Sequence, residues 1–189
     1  DLIGLSDIKL QHINGKQGYY SLPLPIPAAF TTGLLSPKIY VTTALKERVN
    51  EQELDIIIRH EMAHVEARDP MYKVVFATFA AFFPATATRE LIKQFTLLTE
   101  QMADSAVTKE YDNLDVAQTL INVARMQRSV DSMHNNMGCD GLQTSYFGND
   151  QTSVRVQCLI SPVMSSSRLA MGFAIILFAS APLLTASTV

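Results

Sequence analysis

The run His60-Glu61-Met62-Ala63-His64 has the residue types and spacing to do chemistry. Histidines four apart lie on one face of an α-helix, one turn from each other, so their imidazoles can take adjacent vertices of a tetrahedral zinc site. The glutamate beside the first histidine can take a proton from a water activated by the metal, which is the acid–base half of peptide-bond hydrolysis. In a chain of 189 residues with four histidines the pattern arises by chance with a frequency of about 0.004. That is rare enough to set aside the bland alternative of two hydrogen-bonded histidines and a solvated glutamate.

A catalytic zinc ion asks for three protein ligands. Glu66 and Asp69 stand too close in sequence to swing round to the metal, whereas Glu90, Glu100 and His134 are free to reach it. Glu100 is preferred, because Asp104 stands one turn later on the same helical face and can accept the outer N–H of a ligating histidine. Tyr146 and Arg155 are the candidates for stabilising the charge of the transition state. The expectation is one zinc ion, with Glu61 as general base and a protein or peptide as substrate.

The elements that must position these groups can also be read. Ile8 to Ile13 alternates and meets Asn14-Gly15, the pattern of a strand entering a turn. Leu22 to Pro27 carries proline at every second position, which removes ladder donors and makes it a linker or an edge. Lys38 to Thr43 follows Pro37 and is rich in β-formers, so it is expected to be a strand; as an edge, it would pair with an extended substrate. Asn50 with Glu53 forms a capping box and starts a helix expected to run to Arg68, with Leu54, Ile57 and Ile58 on its apolar side. Asp69-Pro70 offers the cap and first-turn proline of the next helix. Further helices are expected over 88–109, 113–128 and 153–160, with a polar loop over 129–149 exposed enough to be cleaved by the protein itself. The class is therefore α+β, mainly helical with a small N-terminal sheet.

Composition excludes some partners and points to another. A net charge of −3 leaves no broad basic surface for phosphate backbones, so no nucleic acid is expected. Cys139 and Cys158 form no C-x-x-C pair and read as ordinary thiols. Val74 to Thr88 is uncharged but short for a membrane crossing, which leaves a buried helix or one dipping into the membrane interface. Leu169 to Val189 is uncharged over 21 residues. At about 1.5 Å per residue it can cross a hydrocarbon core, so the expected division is a domain over 1–167 and a transmembrane helix over 168–189.

Three blocks give the chain a family likeness: Phe30-Thr31-Thr32-Gly33 with Pro37 to Val41, His60 to Asp69, and Glu100-Gln101-Met102-Ala103-Asp104. With a weaker match at Phe147-Gly148 and Arg155, it resembles the BlaR/MecR-type membrane zinc metallopeptidases that serve as sensor-transducers in bacteria. The resemblance implies a zincin-like (gluzincin) domain in which Glu100 is the third ligand and Asp104 its supporting carboxylate. It also implies a metalloendopeptidase acting in signal transduction or regulated proteolysis, in the bacterial inner membrane with the zinc domain on the cytoplasmic side. The related Ste/HtpX-type quality-control proteases rank second, because they commonly carry a histidine-proline pair before the late arginine and this chain has none there. A non-catalytic membrane signalling subunit with a structural zinc site is the further alternative.

Overall fold

The computed structural model describes residues 9–13, 17–135 and 148–161. Four strands open the chain: β1 (Lys9–Ile13), β2 (Gln17–Leu22), β3 (Ala29–Thr32) and β4 (Lys38–Thr42). Six helices follow: α1 (Thr43–Lys46), α2 (Glu51–Ala67), α3 (Asp69–Ala80), α4 (Ala85–Val107), α5 (Asn113–Asn135) and α6 (Gly148–Ile160). The α+β architecture with an N-terminal sheet agrees with the sequence.

The strands form one sheet in the order β1-β2-β4-β3. β1 and β2 pair antiparallel, β2 and β4 run parallel, and β3 and β4 pair antiparallel. This corrects the idea of β4 as a substrate-pairing edge, because both its sides already carry ladders. The outer strand on that side is β3, a segment whose four residues gave too little pattern to be read as a strand. Its turn into β4 depends on Gly33, whose φ is +116°; a Cβ there would meet the Ser36 carbonyl oxygen at 2.7 Å. Phe30 stacks on Tyr40 across the ladder, with centroids 5.5 Å apart. The block Phe30 to Val41 is thus a hairpin specification.

α2 starts as expected. The Asn50 side chain accepts from Glu53 N–H, and the Glu53 carboxylate accepts from Asn50 N–H. Three consecutive isoleucines are buried on it, which a helix with one apolar face does not need. Ile57 and Ile58 pack with Tyr19, Ile39, Val41 and Leu45 of the sheet side, while Ile56 packs with Val107, Val116, Ala117 and Leu159 of the helical side. α2 is therefore sandwiched between two layers, and buries apolar groups on both flanks.

α2 ends at Arg68, which takes a left-handed conformation with φ 54°. For a residue with a Cβ this costs roughly 1–2 kcal/mol. Asp69 becomes the first residue of α3 rather than its cap, with Pro70 in the first turn as expected. The expectation that Asp69 caps α3 is corrected, since its carboxylate is used elsewhere.

α3 is not a buried helix. Tyr72, Val74, Val75 and Phe79 are exposed, as are Phe82 and Phe83 in the turn to α4. The legs of this helical hairpin are joined by Phe76 stacked on Phe95, 4.2 Å between centroids. α5 runs seven residues past its expected end and α6 starts five residues early, because the polar stretch between them holds no proline and no glycine before Gly138. Helix continuation removes 129–135 from the proposed loop. Tyr146, Cys139, the Asn14-Gly15 turn and the transmembrane helix expected over 168–189 lie outside the described residues. Among the described residues no helix is long and apolar enough to cross a membrane.

Candidate metal centre

Position along α2 separates the two functions of the motif. His60 and His64 extend the row of Ile56 towards the helical layer, whereas Glu61 extends the row of Ile57 towards the sheet. From the opposite side α4 presents Glu100 and, one turn later, Asp104. The three donors His60, His64 and Glu100 lie within 4.8 Å of one another. His60 Nε2 is 3.2 Å from His64 Nε2 and 3.3 Å from Glu100 Oε2, and His64 Nε2 is 3.6 Å from Glu100 Oε1.

The outer nitrogens explain the orientation. His60 Nδ1 lies 3.1 Å from Asp104 Oδ1, and His64 Nδ1 lies 2.6 Å from Asp69 Oδ2. Carboxylates only accept, so each Nδ1 carries its hydrogen, and it is each Nε2, with a lone pair in the neutral imidazole, that faces the shared space. Two lone pairs and a carboxylate converging from two helices are a donor set that suits a borderline cation such as zinc. The residues present therefore fit the ion that the motif implies.

Asp69 was discounted as a ligand for standing five residues from His64. The left-handed turn at Arg68 brings its carboxylate back instead onto the outer face of that imidazole. No spacing rule would have given this contact.

Arg155 on α6 closes the network. Its Nε and Nη2 donate to the two oxygens of Asp104 at 2.8 and 2.7 Å, and its Nη1 lies 3.1 Å from Glu100 Oε2. This fork holds the two carboxylates of α4 in one geometry. Lys73 of α3 adds a weaker contact to Glu100, 3.6 Å away. Glu90, the alternative ligand, is exposed and accepts from Gln94; Glu66 is exposed as well. The His134 side chain lies outside the described residues.

Burial alone would discharge these groups, but their partners reverse it. Burial lowers the pKa of His60, yet hydrogen bonds to Asp104 and Glu100 outweigh it and push the value up to about 9. His64 is raised in the same sense, burial opposing and Glu100 prevailing. Burial also works against ionising Glu100, but His60, His64 and Arg155 hold its carboxyl far below the usual carboxylate range. Asp104 is lowered too, with Arg155 and His60 prevailing over burial. The site thus keeps two anions buried and demands cationic charge between them.

Glu61 faces the sheet edge. Thr31 Oγ1 of β3 donates to its Oε2 at 2.8 Å, a contact that sequence reading missed. Thr31, His60, Glu61, His64, Glu100 and Arg155 all line one cavity of about 540 Å³. The Glu61 carboxyl group, a cation-demanding donor set and an open edge strand therefore meet in one space.

Comparison with known proteins fits this site. The profile of peptidase family M48 matches residues 4–167. The chain belongs to peptidase family M48. Among curated relatives, it is 37% identical over 76 residues to "Protease HtpX homolog" of Moorella thermoacetica, covering 39% of this chain and 24% of the relative. It is 43% identical over 56 residues to "Protease HtpX" of Legionella pneumophila, covering 29% and 20%. It is 31% identical over 64 residues to "Methicillin resistance mecR1 protein" of Staphylococcus aureus, covering 34% and 11%. The matched segment thus spans a quarter or less of these relatives. No solved structure gives a significant match. The two HtpX-named proteins align over 39% and 29% of the chain against 34% for mecR1, and at higher identity, so the likeness is to M48 broadly. The ranking of BlaR/MecR-type above Ste/HtpX-type does not stand on these matches.

Proposed function

We propose that this chain carries the catalytic domain of a membrane-associated zinc endopeptidase, with His60, His64 and Glu100 as ligands of one ion and Glu61 as general base. The observation that carries the reading is the pair of Nε2 atoms facing Glu100 while both outer nitrogens are pinned by carboxylates. Zinc bound there would polarise the scissile carbonyl and acidify a water. Glu61 would serve there as the base that takes a proton from water and returns it to the leaving amine. Thr31 holds the Glu61 carboxylate in place through one hydrogen bond. Asp104 and Asp69 orient the imidazoles, and Arg155 keeps Glu100 and Asp104 from repelling each other.

Substrate pairing falls to β3. Thr42 N–H donates to the Ala28 carbonyl, so residues 28, 30 and 32 turn their backbone groups towards β4. Ala29 and Thr31 then turn theirs to the open side, where an extended peptide can add as a strand beside Glu61. The residues 1–167 are assigned to the peptidase domain and 168–189 to a transmembrane helix, the latter from its apolar length alone. A bacterial cell membrane fits the relatives, the cytoplasmic side is assigned to the site from the family resemblance alone, and a polypeptide is the expected partner, including 136–147 of the chain itself.

The comparisons favour two biological settings equally, regulated proteolysis of a signalling target and quality control of many targets. A proteomic comparison of cells carrying the native protein and Glu61→Ala separates them, since the first accumulates one protein and the second accumulates many. Identical proteomes would overturn the hydrolase reading and leave a structural zinc site in its place.

A further inference from the structure

The α3–α4 hairpin carries its apolar residues on the outside. Phe82 is 85% exposed, Val75 60%, Phe79 58% and Val74 53%, and Phe83 beside them is exposed as well. Its tip is not a frayed loop, because Phe79 packs edge-on against Phe83 and Thr88 ties the turn by donating its hydroxyl to the carbonyls of Ala80 and Phe83. A patch of this kind on a folded protein marks a surface meant to be covered.

The charge pattern says by what. From Val74 to Thr88 no residue is charged, and the run is bounded on one leg by Lys73, whose ammonium lies 3.6 Å from Glu100, and on the other by Arg89 beside Glu90, with Lys93 a turn further on. An uncharged aromatic tip with three cations and one anion at its base suits a bilayer interface, where aromatic groups enter the headgroup boundary and cations meet anionic headgroups. Geometry favours a fluid over a helical partner. Tyr72, Val74, Val75, Thr78 and Phe79 are exposed over an arc of about 160° at 100° per residue, far wider than a helix-packing stripe. A bilayer also lies within reach, since the uncharged stretch 169–189 begins nine residues after Ile160, at most about 30 Å of extended chain.

We propose that the α3–α4 hairpin tip, with Phe79, Phe82 and Phe83 as its wedge, docks into the interface of a phospholipid bilayer containing anionic lipid. This goes beyond the peptidase reading and needs no metal. It also has a consequence for that reading. Glu100 stands fifteen residues from Ala85 on α4, so the site lies within roughly 22 Å of the inserted tip. Peptide bonds presented to it are then within about seven extended residues of the bilayer.

The sequence contains no tryptophan, so Phe82→Trp gives a single fluorophore at the tip. The full chain carrying it is reconstituted into vesicles of phosphatidylcholine and phosphatidylglycerol at about 3:1, with and without brominated acyl chains. The expected result is a blue-shifted emission quenched about twofold or more by the brominated lipid. Leu114→Trp, at a 64% exposed position on α5, is expected to stay unquenched in the same vesicles. Adding Phe79→Ser and Phe83→Ser to the Phe82→Trp chain is expected to reverse most of the quenching.

An unquenched Phe82→Trp overturns the proposal, as does equal quenching at both positions. A blue shift that depends on protein concentration and not on brominated lipid assigns the tip to a second copy, and overturns it too. The measurement is made with zinc and with chelator, so its failure and the failure of the zinc site are read separately.

Discussion

The metal centre and the hairpin tip invert each other. Around α2, α4 and α6 charged groups are inside, where His64, Asp69 and Asp104 are buried and each has a partner. At the α3–α4 turn the aromatic groups are outside, with Phe82 among the most exposed large residues described. Both arrangements cost free energy in an isolated chain in water, the first through desolvated charge and the second through hydrated apolar surface. Each is a place to which we assign something the chain does not itself contain, a cation in one case and a lipid interface in the other.

The comparison is broken most severely at Glu61. Glu61→Ala is expected to leave zinc content at one per chain and to lower cleavage about 10²- to 10⁴-fold, read by elemental analysis and a peptide assay. Cleavage at the native rate would remove Glu61 as base. Asp104→Ala takes the acceptor from His60 Nδ1 and leaves Arg155 with Glu100 alone, so zinc affinity is expected to fall about ten- to a hundredfold by competition with a chelator. Glu90→Ala on the same helix, outside the network, is expected to change nothing in that measurement.

The pH dependence should reverse with metal. In metal-free protein His60 has a folded pKa of about 9, above the ordinary value. Its contribution to stability is then fully present below about 6.5 and is lost as pH rises through 9. Melting temperature of the chelated protein is expected to fall over that window. Zinc needs neutral imidazoles, so stabilisation by added zinc is expected to grow over the same window. Parallel trends with and without zinc would show that the histidines do not hold the ion.

Two smaller changes sharpen the contrast. Thr31→Val removes one hydrogen bond to Glu61 at constant shape, worth about 1 kcal/mol, so cleavage is expected to drop about fivefold with zinc affinity unchanged. Phe82→Ser is expected to move unfolding free energy by no more than about 0.5 kcal/mol in water, since its side chain packs on little. A loss of 2 kcal/mol or more, on the scale of a core substitution, would mean that the tip is part of the core after all.

The residues that the sequence disclosed belong to local periodicity. Asn50 and Glu53 announce the start of α2, the four-residue spacing puts His60 and His64 on one face, and the same spacing links Glu100 to Asp104. These follow from helix geometry once a helix is granted, because neighbours on a helix face are fixed by 3.6 residues per turn. Ile56 already fell outside that logic, since its burial depends on a second layer of helices on the far flank of α2.

What tertiary structure alone decided lies where segments distant in sequence meet or where backbone leaves its regular path. Strand order made β3 rather than β4 the open edge beside Glu61, and chain tracing put Arg155 on Asp104 across 51 residues. A single left-handed residue, Arg68, turned Asp69 back onto His64. The sequence by itself determined which groups could bind a metal and on which helices they ride. Only packing of those helices decided which carboxylate supports which imidazole, because long-range contacts depend on the relative placement of whole elements, and spacing along one element carries no record of it.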